Sequence, residues 1–161
     1  MNFLEQLVAE WYAFQGYFVR TNTKFGKRAK GGYLGEMDVV AFHPKEKTLT
    51  HIETSTDANS WSKRKKRFQR KFRDANSHFK ELFDFPITEV RRIAIVGFGK
   101  PKEKEKVDFG YNIKVISIPD LIKEITTDLS NRHPMKNAIP EEYPLLRSIQ
   151  FATFWGSSKK E

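Results

Sequence analysis

Residues 35–55 read GEMDVVAFHPKEKTLTHIETS, and the fold turns on how this stretch divides. Two runs rich in apolar and β-branched residues, 37–43 and 48–55, flank the polar tetrapeptide Pro44-Lys45-Glu46-Lys47. That is the pattern of two strands joined by a short turn. A hairpin symmetric about Lys45 and Glu46 sets Asp38 directly opposite Glu53. Facing residues of an antiparallel pair have Cβ atoms about 4.5–5.5 Å apart, and like charges there repel. A bound cation is the simplest reason for two acids so placed. A slip of one residue would turn them to opposite faces of the sheet.

Upstream, Phe3, Leu4, Leu7, Val8, Trp11 and Tyr12 form one apolar stripe, which predicts a helix over 2–15 ended by Gly16. A first strand is expected at 17–21, then a mobile basic loop over 23–33 carrying Lys24, Lys27, Arg28 and Lys30. Downstream, residues 56–60 offer N-caps for a long helix reaching about Phe83. Its apolar residues are Trp61, Phe68, Phe72, Ala75, Phe79 and Leu82, and its first half carries eight Lys or Arg between Lys63 and Arg73. Lys65, four residues after Trp61 and three before Phe68, falls on the inward side of that reading. The apolar run 91–98 predicts a strand covered on both faces. A charged loop is expected over 99–108, a strand over 113–118, and a helix opened by Pro119. After a loop from Asn131 to Pro140, a last amphipathic helix is expected from Glu141 to about Phe154, and a disordered tail over 156–161.

The element order predicts an α/β protein with a central mixed β-sheet flanked by helices. One domain is expected, with its core in 1–130 and a C-terminal helical extension over 131–161. With 29 basic and 20 acidic side chains, the formal charge is +9. Such a balance points to a polyanionic partner, nucleic acid ahead of a membrane surface. There is no cysteine, which excludes disulfides, thiolate metal sites and a cysteine nucleophile. No secretory leader and no membrane-length apolar run is read, so a cytoplasmic or otherwise intracellular location is expected.

The constellation of helix, strand, Gly-Glu-Met-Asp-Val-Val-Ala-Phe, Thr-His-Ile-Glu-Thr-Ser and basic helix resembles the restriction-endonuclease-like PD-(D/E)xK nuclease superfamily. Its layout is most similar to Holliday-junction resolvases and Mrr-type endonucleases, with an αβββαβ core. The resemblance implies Mg²⁺- or Mn²⁺-dependent endonucleolytic cleavage of DNA, often by a homodimer. It assigns Asp38 and Glu53, with the Thr54 backbone carbonyl, to the metal. It also gives a helper role to Glu5, which stands eleven residues before Gly16-Tyr17. One departure is plain: Ser55 occupies the position of the motif lysine. Serine can hydrogen-bond a water but brings no charge. Either the cation has moved, with Lys65 the candidate, or the site binds without catalysing.

Lys63, Arg64, Lys66, Arg67, Arg70 and Lys71 on the long helix, and Lys27, Arg28 and Lys30 in the loop, are the candidate DNA-backbone contacts. Seen alone, the loop is equally a solvated connector and the basic helix is usually a solvated face. Glu36 is a weaker candidate acid, Glu10 reads as surface, and His51 shares a face with Glu53. None of the four histidines has metal-ligand spacing. A non-catalytic DNA-binding module, one subunit of a larger complex, is the rival reading. The apolar positions of the last helix offer a surface for a second copy or for the chain's own core.

Overall fold

A computed structural model describes residues 1–97 and 107–156. The chain runs α1 (Phe3–Phe14), β1 (Phe18–Lys27), β2 (Tyr33–His43), β3 (Thr48–Ser55), α2 (Trp61–Asn76), α3 (Phe79–Leu82), β4 (Glu89–Val96), β5 (Ile113–Ser117), α4 (Ile118–Ser130) and α5 (Pro144–Gly156). The five strands lie in sequence order in one sheet. β1, β2 and β3 are antiparallel neighbours. β4 joins β3 in parallel and β5 joins β4 in parallel. The result is a mixed central sheet flanked by helices. Phe98, most of the expected charged loop (99–106) and the tail from 157 lie outside the described residues.

The hairpin has the expected register. Val39 pairs with Ile52, Val40 with His51 and Ala41 with Thr50, so the same count sets Asp38 across from Glu53. The turn keeps Lys47 at φ +54°.

Two hydrophobic layers cover the sheet. On one face, Leu4, Leu7, Val8 and Trp11 of α1 pack with Val39, Ala41, Ile52, Ile93 and Ile95, and with Leu121, Ile125 and Leu129 of α4. Leu146 of α5 and Ile139 join this layer, so the segment after residue 130 packs into it. On the other face, Phe68 and Phe72 of α2 pack on Ala94 and Val96 with Phe109. Each phenyl buried so completely contributes about 1.5–3 kcal/mol.

Three expected elements differ. The stretch over 23–33 is mostly strand rather than a mobile loop, because β1 runs to Lys27 and β2 starts at Tyr33. Gly26, at φ +63°, takes a left-handed backbone within β1 that other residues resist. The long helix stops at Asn76 and restarts as the single turn α3. Asn76 and Ser77 sit at the break, and short polar side chains favour helix ends over interiors. Glu10, read as surface, is buried, and its Oε2 accepts from the backbone N–H groups of Leu145 and Leu146 at 2.9 and 3.0 Å. It satisfies orphan donors in the first turn of α5 and complements the positive end of its dipole.

β2 also changes face at Asp38. Val39 and Ala41 pack under α1. Met37, of the same parity, packs instead with Phe25, Val40, Ala75 and Phe79 on the α2 side. Opposite this switch, Asn22 of β1 takes a left-handed conformation at φ +48°. The register runs unchanged across it, Thr21 pairing with Val39 and Thr23 with Met37, so no bulge residue is inserted. Asp38 is therefore at a twist point, where the alternating pattern breaks and its carboxylate is released from the core layer.

Candidate functional site

β2, β3 and α2 bring four polar side chains together between sheet and helix. Nζ of Lys71 donates to Oδ1 of Asp38 at 3.0 Å and also to Oε2 of Glu53. The second oxygen of each acid is occupied as well. Oδ2 of Asp38 accepts from the backbone N–H of Thr54 at 2.8 Å. Oε1 of Glu53 pairs with Nε2 of His51 at 2.7 Å. The His51 ring is fully buried, edge-on to Phe72 and Phe79. Its Nδ1 has no hydrogen-bond partner. The tautomer that donates from Nε2 leaves only a lone pair unpaired there.

Accessibility is graded across the trio. The Glu53 side chain is 1% exposed, Asp38 13% and Lys71 32%, so solvent and ligands reach the cluster from the lysine side. Burial raises the Asp38 pKa, the Glu53 charge raises it further, and Lys71 and Thr54 only partly counter this. For Glu53, burial works in the same direction, but the bonds from His51 and Lys71 outweigh it and hold the carboxyl below its usual range. Burial alone would lower the Lys71 pKa, yet the two carboxylates raise it on balance. With all three ionised, Asp38, Glu53 and Lys71 together carry one net negative charge.

Two carboxylate oxygens, Oδ1 of Asp38 and Oε2 of Glu53, thus converge on a single cation, the Lys71 ammonium. Mg²⁺ is held by one or two carboxylates while keeping several waters, and this pair of donors fits that requirement. Among the described residues no three His, Asp or Glu side chains are grouped to hold a metal ion. Thr54 contributes its N–H to Asp38, so the first contact it makes is as a donor.

Several expected positions are corrected. Lys65 is exposed. The buried side of α2 runs through Arg64, Phe68, Phe72 and Ala75, and Lys65 lies about 100° around the helix from Arg64. Lys71, expected on the DNA-facing side, is the lysine that reaches the acids. Its signal was present: it is three residues after Phe68 and four before Ala75, the spacing of a shared helix face. Arg64, also expected to face DNA, is buried beside Trp61, its guanidinium carbon 4.8 Å from the ring centroid, and bonds Asp57. Arg67 pairs with the same carboxylate.

Glu5 closes a capping box with Asn2, taking the Asn2 backbone N–H at 3.0 Å, and it sits near the terminal amine. An N-terminal cap explains that acid. Ser55 donates to Asp57 and accepts from its backbone N–H at 3.2 Å, shaping the entry to α2. Glu36 accepts from the Asn22 amide at 2.9 Å. Lys63, Lys66 and Arg70 of α2 and Lys27, Arg28 and Lys30 near the β1–β2 turn are exposed, free to meet an anionic surface. No helix among the described residues is long and apolar enough to cross a membrane.

No protein-family model matches the chain, and no curated protein sequence does. Among solved structures, the chain is similar to one titled "Crystal Structure of Protein of Unknown Function AF1548". The match has a TM-score of 0.53 at 15% identity, and covers 96% of this chain and 98% of the other. That likeness is one of fold.

Proposed function

We propose that the chain is a divalent-metal-dependent DNA endonuclease of the PD-(D/E)xK type, in which α2 supplies, as Lys71, the lysine that Ser55 replaces. One observation carries the reading: a single ammonium touches both acids of the hairpin pair. A lysine near a carboxylate pair is what phosphodiester hydrolysis needs beside its metal, because negative charge accumulates on the phosphoryl oxygens. Asp38 and Glu53 would hold Mg²⁺ or Mn²⁺, which would supply Lewis-acid stabilisation and lower the pKa of a bound water. His51 keeps Glu53 oriented by occupying Oε1, leaving Oε2 for the cation. Lys71 is partly exposed, and on this reading its ammonium would turn from the carboxylates toward a phosphate. Exposed Lys63, Lys66 and Arg70 on the same helix provide backbone contacts without sequence information.

A second reading has its own support. Lys71 neutralises part of the pair by itself, so the two acids are explained without a metal, as a structural tie between the hairpin and α2. The protein would then be a DNA-binding module without catalysis.

Plasmid incubated with Mg²⁺ or Mn²⁺ separates the two. The nuclease reading expects nicking by the wild type and none by Asp38→Ala or Lys71→Ala, with duplex affinity in EDTA reduced less than about threefold. Cleavage that persists in Asp38→Ala, or its absence from the wild type with either metal, overturns it.

A further inference from the structure

The β1–β2 pair extends beyond the rest of the sheet. Its ladder continues from Phe18↔Phe42 through Thr23↔Met37, Lys24↔Glu36 and Phe25↔Gly35 to Lys27↔Tyr33. β3 pairs with β2 only from Val39 onward. Residues 23–27 and 33–37 therefore form a two-stranded ribbon rooted at Asp38. Five strand steps separate Asp38 from Tyr33, a reach of about 17 Å.

The ribbon is braced rather than loose. Phe25 and Met37 are buried against Ala75, Phe79 and Phe83. The Phe25 ring covers Gly35 so closely that a Cβ there would lie 2.5 Å from its Cζ. Gly31 and Gly32, at φ +90° and +79°, close the turn, with Arg28 N–H bonded to the Gly32 carbonyl at 3.0 Å. On this frame Lys24, Lys27, Arg28 and Lys30 are exposed, as are Tyr33 and Leu34. Against these four cations the ribbon has one acid, Glu36, bonded to Asn22.

We propose that this ribbon enters the major groove and makes duplex DNA the substrate class of the neighbouring carboxylate site. The proposal rests on the nucleic-acid reading above. The major groove of B-DNA, about 12 Å wide, admits a two-stranded ribbon, and the minor groove is narrower, about 6 Å. A-form RNA has a major groove too deep and narrow for such an element. A single strand offers no groove, so the cations of a braced ribbon meet fewer phosphates on it. The charge of its exposed side chains and its position beside Asp38 both agree with a B-form duplex.

The test is fluorescence anisotropy in EDTA, where no metal-dependent cleavage occurs, with a 20-base-pair DNA duplex, the matching single strand and an RNA duplex. The full chain is expected to prefer the DNA duplex by about tenfold. Lys27→Ala/Arg28→Ala/Lys30→Ala, all at exposed positions, is expected to abolish that preference and flatten the log–log salt slope by about 3. Equal affinity for the three ligands overturns the proposal, as does a variant that loses affinity for all three by the same factor. The nuclease reading is judged separately, by cleavage in Mg²⁺. Ribbon-dependent duplex preference without cleavage sinks that reading and leaves the ribbon as an element that binds a DNA duplex. Cleavage without duplex preference does the reverse.

Discussion

The two ends of α2 solve one problem with opposite signs. At its start, one acid collects two cations: Asp57 holds both Arg64 and Arg67. Two turns later one cation collects two acids, Lys71 holding Asp38 and Glu53. In each trio one member is almost sealed from solvent: Arg64 is 2% exposed and Glu53 1%. The first trio has a surplus positive charge and the second a surplus negative one. On the nuclease reading proposed above, the surplus carboxylate of the second trio would face the metal ion.

Removing the shared partner of the acidic trio should have the largest effect. Lys71→Met leaves two carboxylates facing each other with no cation, one of them buried. Breaking a buried ion pair costs about 3–5 kcal/mol, and the partial exposure of Lys71 brings the expected loss to about 2 kcal/mol at neutral pH. The pH dependence has a definite sign. Without the ammonium both carboxyl pKa values rise, that of Asp38 further above its unfolded value, so the folded variant binds protons more tightly than the wild type. The deficit should therefore shrink on acidification and grow as pH rises past the ordinary carboxylate range. Urea titrations at pH 7 and pH 5 measure it, and a deficit independent of pH would mean that Lys71 packs rather than pairs. Added Mg²⁺ should restore part of the loss at pH 7 if the vacated oxygens bind it.

This pairing was half legible beforehand. The hairpin register followed from turn symmetry and alternation, which is why Asp38 and Glu53 could be set together from the sequence. The phase of α2 did not follow, because Trp61 looked like its first buried residue. The residue buried there is Arg64, and an arginine enters a core layer only with a partner such as Asp57 at hand. Nothing local to residues 61–76 announces that partner. Glu10 was misread for the same reason: the donors it satisfies lie 135 and 136 residues away. The ribbon was hidden by its glycines, which mark loops more often than strands. The face switch at Asp38 lies opposite Asn22, whose left-handed φ a short polar side chain tolerates, but an Asn in an otherwise extended run does not by itself mark where a strand turns its face.

The basic trio should respond less. Asp57→Asn keeps shape and removes the charge that Arg64 and Arg67 share. In the folded protein, burial pushes the Asp57 pKa up, but hydrogen bonds from Ser55, Asn59 and Arg67 outweigh it and hold the carboxyl far below its usual range. A depressed carboxyl stabilises the fold above its unfolded pKa, near 4, and that contribution fades as pH falls below it. The variant should lose about 1 kcal/mol at pH 7, since Asp57 is partly exposed, and its deficit should diminish toward pH 3. That is the same acid-side convergence as for Lys71→Met, from a different origin. The wild type separates them: acid removes stability from the Asp57 trio, whereas in Lys71→Met it restores stability to the variant. Thermal melts across pH 3–7 distinguish a falling wild-type curve from a rising variant curve.

The smallest effect on folding, and the sharpest on binding, belongs to a cation in neither trio. Lys66 is exposed, so Lys66→Ala should change unfolding free energy by less than about 0.5 kcal/mol. If α2 lies along a phosphate backbone, the variant should bind every DNA sequence more weakly by one similar factor, and its log–log salt slope should fall by about 1. Arg64→Ala is the contrast, because a buried guanidinium tied to Asp57 cannot release a counterion on binding. It should cost stability and leave the salt slope where it was. If Arg64→Ala reduced the slope and Lys66→Ala did not, the outward face of the helix would not be the one that meets DNA, and the division of α2 into a tethering side and a phosphate side would have to be reversed.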